Sequence, residues 1–325
     1  MLVIDSIGIG APALIVGARL LQGLSVGGEF GSATALLAEQ DPNRRGFYSS
    51  WQFASQALTG VMATAIGAAL LGIQGTEKFD EWGWRLPFLF GLLIGPVAYY
   101  IRVKVGESTE FSAVKPHRAP LGDFVKQAKA RFLVATGSIV VATAAIYTLI
   151  FMPTFAVREL GLPLTGGLAA TLASSAVQVL VIPISGALSD QWGRVSITVP
   201  AAMMMAFVAV PLFAALLSAP SLVTLFTFQI TIGLMLAIYL GPLPALLSEL
   251  FPTQIRTTGL ALSYALAVTI FGGFAPFINA SLISLTGSKL VPCLYLVACA
   301  MISLTALVVA RRMPSISQWA AATSQ

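Results

Sequence analysis

The sequence predicts an all-α fold, a polytopic helix bundle built to sit in a membrane. Three observations carry this. Hydrophobic residues make up 57% of the 325 and charged residues only 10%, far below the charge content of roughly 25% in a soluble domain. Mean hydropathy is +0.88. The apolar residues fall in long runs separated by charged and Pro/Gly-rich clusters. Each run is about 20 to 28 residues, the length a helix needs to cross roughly 30 Å of hydrocarbon.

Nine runs qualify: 11–38, 47–72, 83–103, 132–156, 164–188, 196–217, 222–248, 257–284 and 290–310. From Ala11 to Ala38 the only charges are Arg19 and Glu29, in the stretch RLLQGLSVGGE. At roughly 100° per residue, Arg19, Gln22, Val26 and Glu29 fall within an arc of about 80°. Gly23 and Gly27 form a GxxxG pair that suits close approach of a neighbouring helix. A charge held in hydrocarbon costs several kcal/mol and usually faces a cavity or a relay. Arg19, Gln22 and Glu29 are therefore candidate substrate- or proton-binding residues.

The second run adds Gln52 and Gln56, one turn apart, as second choices. Trp82, Trp84 and Arg85 open the third, where amphipathic rings and a snorkelling guanidinium suit the headgroup region. Later runs carry Tyr147, Gln178, Gln229, Tyr239, Tyr264 and Asn279. Amides and phenols inside a bundle serve by default as interhelical hydrogen bonds worth about 1 kcal/mol. Cys293 and Cys299 share the last run, with no His nearby. They read as packing residues, not as a disulfide or a metal site. The opening MLVIDSIGIG has neither a basic n-region nor a small-residue cleavage site, so no secretory signal is expected.

The net charge of +5 is explained by topology. With odd-numbered gaps assigned to the cytoplasm, that side receives Arg44, Arg45, Arg102, Lys104, Lys115, Arg118, Lys126, Lys129, Arg131, Arg194, Arg256, Arg311 and Arg312. The other side receives Lys78, Arg158 and Lys289, while Arg19 and Arg85 lie in or at the membrane. Basic residues gather in cytoplasmic loops, so this bias places the C-terminus inside and removes the case for nucleic acid. Residues 106–130, with Pro116 and Pro120, are expected to be a cytoplasmic linker between residues 1–105 and 131–312, and residues 313–325 a cytoplasmic tail.

An internal repeat sharpens the layout. The first run ends in AEQDPNRRGFYSS and the seventh in SELFPTQIRTTGLALS, with Glu39 and Pro42 matching Glu249 and Pro252 at identical spacing. Glu249 closes the fourth span of the second block. Glu39 should likewise close a fourth span, although only one run precedes it. The chain thus looks like the C-terminal three quarters of a six-plus-six bundle, about nine helices of twelve, with Met1 an internal or misassigned start.

Two further motifs have direct physical readings. GALSDQWGR sets Asp190 and Arg194 four residues apart at a turn between spans, where Gly186 and Gly193 allow close approach and a tight bend. Charges there can brace adjacent helices. In ELFPTQIRTTG, Pro252 and Gly259 bracket a short turn, and Arg256 is expected to pair with Glu249.

RLLQGLSVGGE, AEQDPNRRGFYSSWQ, EWGWRLPF (81–88), GALSDQWGR (186–194) and ELFPTQIRTTG (249–259), in that order, resemble the metabolite:proton symporters of the major facilitator superfamily. The likeness runs to about Arg312. GFYSSWQFASQ and IFGGFAPFINASLISLTGSK look more like the citrate and 2-oxoglutarate carriers than the proline/betaine carriers. The resemblance implies a major facilitator fold and a gate latch at Asp190, Gly193 and Arg194. It also implies a central cavity lined by the first, fourth, seventh and tenth helices, which adds Tyr147 and Tyr239 to the candidates. The activity it implies is proton-coupled symport of a small organic acid by alternating access in a bacterial-type inner membrane. The partners would be a carboxylate substrate, protons and lipid, with the proton gradient as driving force, no cofactor and a monomeric carrier.

Two other readings compete. A membrane enzyme needs a nucleophile with a base or a metal cluster, yet His117, the single histidine, lies in the linker, and no HExxH occurs. A truncated, non-transporting remnant would follow if the chain lacks helices that complete the cavity wall. On that expectation the nine-span chain is inactive.

Overall fold

The computed structural model describes Leu14 and residues 26–104 and 121–313. Arg19, Gln22, Gly23, residues 105–120 and the tail from 314 lie outside them. Helix α1 covers 26–38 and α2 Arg45–Glu81, followed by a 3-10 turn at Gly83–Arg85, then α3 (Leu86–Gly91) and α4 (Ile94–Lys104). The second half comprises α5 (Leu121–Leu160), α6 (Leu164–Trp192), α7 (Arg194–Ser218), α8 (Leu222–Leu240), α9 (Leu243–Glu249), α10 (Thr253–Ala267), a π-helical segment (Val268–Gly273), α11 (Ala275–Thr286) and α12 (Val291–Arg312).

The fold is all-α, with no strand among the described residues. Seven helices there are long and apolar enough to cross a membrane: the Arg45–Gly75 part of α2, Ala128–Leu160 of α5, α6, α7, α8 with α9, α10 through α11, and α12.

Three departures from the sequence reading have local causes. The run 83–103 is not one helix, because it breaks into a 3-10 turn, α3 and α4, with a turn at Leu92 and Leu93. Pro96, the third residue of α4, has no N–H to give the Leu92 carbonyl and its ring would clash there, so the helix breaks at Leu92 and restarts at Ile94. Helix α2 runs past the apolar stretch to Glu81, interrupted at Gly75, whose φ of 74° and ψ of 166° are a conformation glycine adopts without penalty. Helix α5 starts at Leu121, so 121–130, expected as linker, are its first turns.

The second half holds the densest core. Phe155, Phe213 and Phe228 are fully buried, with ring centroids 5.4 Å (Phe155 to Phe213) and 5.2 Å (Phe213 to Phe228) apart. Cys293 and Cys299 are buried and free, in the packing role expected of them. Outward-facing Phe207, Phe277, Leu285 and Val223 are strongly exposed, as suits helices whose outer surface meets lipid instead of water. The halves meet chiefly where α2 lies along α6 and where α1 crosses α10. At the second crossing a Cβ on Gly31 would stand 2.5 Å from the Thr257 carbonyl oxygen. The small-residue stripe of the first run is therefore a packing face, as Gly27 also shows by its approach to Ala265.

Candidate functional site

At one end of the bundle, the ends of α1, α6 and α9 meet the starts of α2, α7 and α10, and the carboxylates there are all engaged. Gly193, with φ of 89°, makes the bend that turns α6 into α7. That bend brings Arg194 Nη1 to 2.6 Å from Asp190 Oδ1. Arg194 also donates to Ser189 Oγ at 2.8 Å and to Glu249 Oε1 at 3.2 Å. Asp190 reaches across to the other half and accepts the backbone N–H groups of Gly46 (2.8 Å) and Phe47 (3.0 Å). These donors lie in the first turn of α2, whose preceding residue, Arg44, supplies no side-chain cap. A carboxylate there satisfies two orphan donors and complements the helix dipole.

Arg256 makes the second bridge between halves. It donates from Nη1 to Glu39 Oε1 at 2.5 Å, and the two side chains are only 6% and 5% exposed. Its Nε donates to the Ser248 carbonyl at 3.1 Å. The expected Glu249–Arg256 pair is therefore replaced by Glu249–Arg194 and Glu39–Arg256. The corner between α9 and α10 explains this: it folds Arg256 back beneath the Ser248 and Phe251 carbonyls, toward α1, while Glu249 turns to the start of α7.

Backbone contact seals this end. A Cβ on Gly46 would collide with the Gly186 carbonyl and stand 2.5 Å from Ser189 Oγ. A Cβ on Gly241 would lie 2.6 Å from Gly186 N. Three helices thus touch backbone to backbone at Gly46, Gly186 and Gly241.

Two cavities lie further into the membrane-length spans. The first, of about 390 Å³, is lined by Glu29, Phe30, Gln52, Ser55, Gln56, Thr59 and Tyr264 among others. The second, of about 430 Å³, lies between α2 and α5, α6 and α8, with Gln56, Thr64, Thr171, Ser174, Ser175 and Gln178 in an otherwise apolar wall. Gln56 lines both. Glu29 is the one charged group among the described residues that line either cavity.

Glu29, Gln52 and Gln56 come together in the first cavity. Tyr264, named in the sequence only as a bundle hydrogen-bonder, joins them, stacked on Phe30 with ring centroids 3.7 Å apart. Tyr147 is half-buried and lines neither cavity. It packs over Gly272 in the π-helical segment, where a Cβ would meet its ring at 2.6 Å. Tyr239 is a correction: it is fully buried and its hydroxyl donates to the Ser138 carbonyl at 2.5 Å, so it packs the second half and is not a cavity residue. Arg19 and Gln22 lie outside the described residues. The polar ladder on α6 was the weakest signal in the sequence, because Thr171, Ser174 and Ser175 look like ordinary small packing residues.

The profile of the Major Facilitator Superfamily matches residues 2–276. The chain belongs to this superfamily. Among relatives of this facilitator, a citrate-proton symporter of Klebsiella pneumoniae is 36% identical over 89% of this chain and 66% of its own length. A citrate-proton symporter of Salmonella typhi is 33% identical over 93% of this chain and 70% of its own length. An alpha-ketoglutarate permease of Escherichia coli is 32% identical over 86% of this chain and 66% of its own length. The facilitator chain spans about two thirds of the length of these relatives. Their names are those of carriers, not of enzymes.

Proposed function

We propose that the protein is a secondary active transporter that moves a small carboxylate together with protons by alternating access, in a bacterial inner membrane with its charged end in the cytoplasm. The observation that carries this is the pairing of an ion-bridged end joining two halves with a cavity further in whose described lining has a single carboxylate, Glu29. Two halves that rock about a midplane site need a closure that can open, and a relay group inside it. In this reading Asp190, Gly193, Arg194, Glu249 and Arg256 form the closure, and Glu29 carries the proton. Arg19 supplies the fixed positive charge for a substrate carboxylate, which a guanidinium grips through two hydrogen bonds. Gln22, Gln52, Gln56 and Tyr264 supply neutral hydrogen bonds.

The names of the citrate and alpha-ketoglutarate relatives favour an organic acid. They also favour a carrier over a non-transporting remnant. A glycine betaine/proline/ectoine/pipecolic acid transporter of Dickeya dadantii, 30% identical over 92% of the chain, keeps a zwitterionic substrate as the second reading. Uptake of labelled citrate, 2-oxoglutarate and betaine into vesicles under an imposed acid-outside gradient decides between them. Faster uptake of an organic acid under the gradient is expected. Uptake indifferent to the gradient would remove the proton-coupling claim. Glu29→Gln is expected to flatten the dependence of uptake on external pH, and an unchanged pH profile would take the relay role from Glu29.

A further inference from the structure

A basic recess opens at the charged end of the second half, apart from both deeper cavities. It measures about 390 Å³, between α5 at Arg131, the first turn of α7 and the last turns of α9 and α12. Arg131, Arg194 and Arg311 line it with Glu249; Arg194 is already held by Asp190 and Glu249, so Arg311 is the exposed cation of the lining. Arg131 is buried and donates to the Leu250 carbonyl at 2.8 Å, so its guanidinium is fixed in place. A second recess of about 520 Å³ shares Arg311 and Val195 with the first. It continues along the groove between α7 and α12, walled by Val199, Pro200 and Val308, with Arg312 on its lining. Both helices are membrane-length spans. The cationic recess therefore adjoins a furrow with apolar walls.

A soluble anion would use only the first recess. An anion that carries hydrocarbon uses both. The tail 314–325 has no acidic side chain, so its side chains supply no negative charge.

We propose that this double recess binds one anionic glycerophospholipid, its phosphate against Arg311 and Arg131 and an acyl chain along Val199, Pro200 and Val308. Basic pockets between membrane helices at an interface recognise anionic headgroups by charge and hydrogen bonding, and the furrow adds burial of apolar surface. The inference is independent of the transported substrate.

Native mass spectrometry of the full chain in detergent tests it, with phosphatidylglycerol and phosphatidylcholine of identical acyl chains as probes. One tightly retained phosphatidylglycerol per chain is expected, with phosphatidylcholine stripped first. Replacing exposed Arg311 and Arg312 by Gln should weaken phosphatidylglycerol retention about fivefold for each arginine removed, while Arg311→Lys keeps most of it. Millimolar inorganic phosphate should not displace the lipid. Equal retention of the two lipids, or an R311Q/R312Q variant that binds like the parent, would overturn the proposal. Displacement by inorganic phosphate would overturn it in favour of a soluble anion.

Discussion

The charged end and the cavities are built on the same helices, and they treat polar groups in opposite ways. At the charged end Glu39, Asp190 and Glu249 each have a guanidinium partner, and Asp190 also takes two backbone donors from the facing half. In the cavities Glu29 and Gln56 are exposed, and Gln52 and Tyr264 only half-buried. Polar groups that satisfy each other hold a structure in one state. Polar groups that face space are suited to an incoming ligand. The difference predicts that substitutions at the charged end act on stability and on the balance of states, and substitutions in the cavities act on transport.

The most severe break should come from Arg256→Gln. It removes the guanidinium from the buried Glu39–Arg256 bridge, and loss of one partner of a buried pair costs about 3–5 kcal/mol. A thermal unfolding scan in detergent should show a large drop, and adding Glu39→Gln should recover much of it. If the single variant melts like the parent, the bridge is not a structural tie between the halves.

Next in size is Gly46→Val, which drives a side chain into the Gly186 backbone. Overpacking of this kind costs about 1–3 kcal/mol and should spread the halves. Labelling of a cysteine placed at Ser50 by a membrane-impermeant maleimide, in a background lacking Cys293 and Cys299, should accelerate. Asp190→Asn should act in the same direction, about 1–2 kcal/mol toward the open state, since the amide keeps only one of the two accepting oxygens that take the Gly46 and Phe47 N–H groups and loses the charge that complements Arg194 and the α2 dipole. Unchanged labelling in both variants would mean that this end does not control access.

The smallest effect on folding belongs to the cavities. Gln56→Ala should move the melting temperature by no more than the shift that about 0.5 kcal/mol brings, yet reduce the rate of organic-acid uptake measurably. A large loss of stability without a change in uptake would reverse the contrast between the two regions.

Much of this layout was legible in the chain. Apolar run length anticipated most of the membrane-length helices, and the motif GALSDQWGR led to the Asp190–Arg194 pair because a four-residue spacing at a glycine bend leaves these groups little choice. Partners across the halves were not legible. Glu39 and Arg256 stand 217 residues apart, and no local periodicity says that α1 and α10 cross with Gly31 at the contact. Tyr239 was misplaced for a related reason. A phenol on a helix expected to line the cavity has two faces to choose between, and the Ser138 carbonyl on α5 decided for the core. The break in 83–103 follows from Pro96, which hydropathy does not report.

The crossing at Gly46, Gly186 and Gly241 has a mechanical consequence. Where helices interlock by large side chains, separating them means withdrawing knobs from holes. Here bare backbone rests on bare backbone, like two plates with no teeth. The charged contacts next to the seam then carry much of the resistance to parting, and because they are largely buried, salt screens them little while the helices touch. Raised ionic strength alone should therefore leave the labelling rate at position 50 almost unchanged.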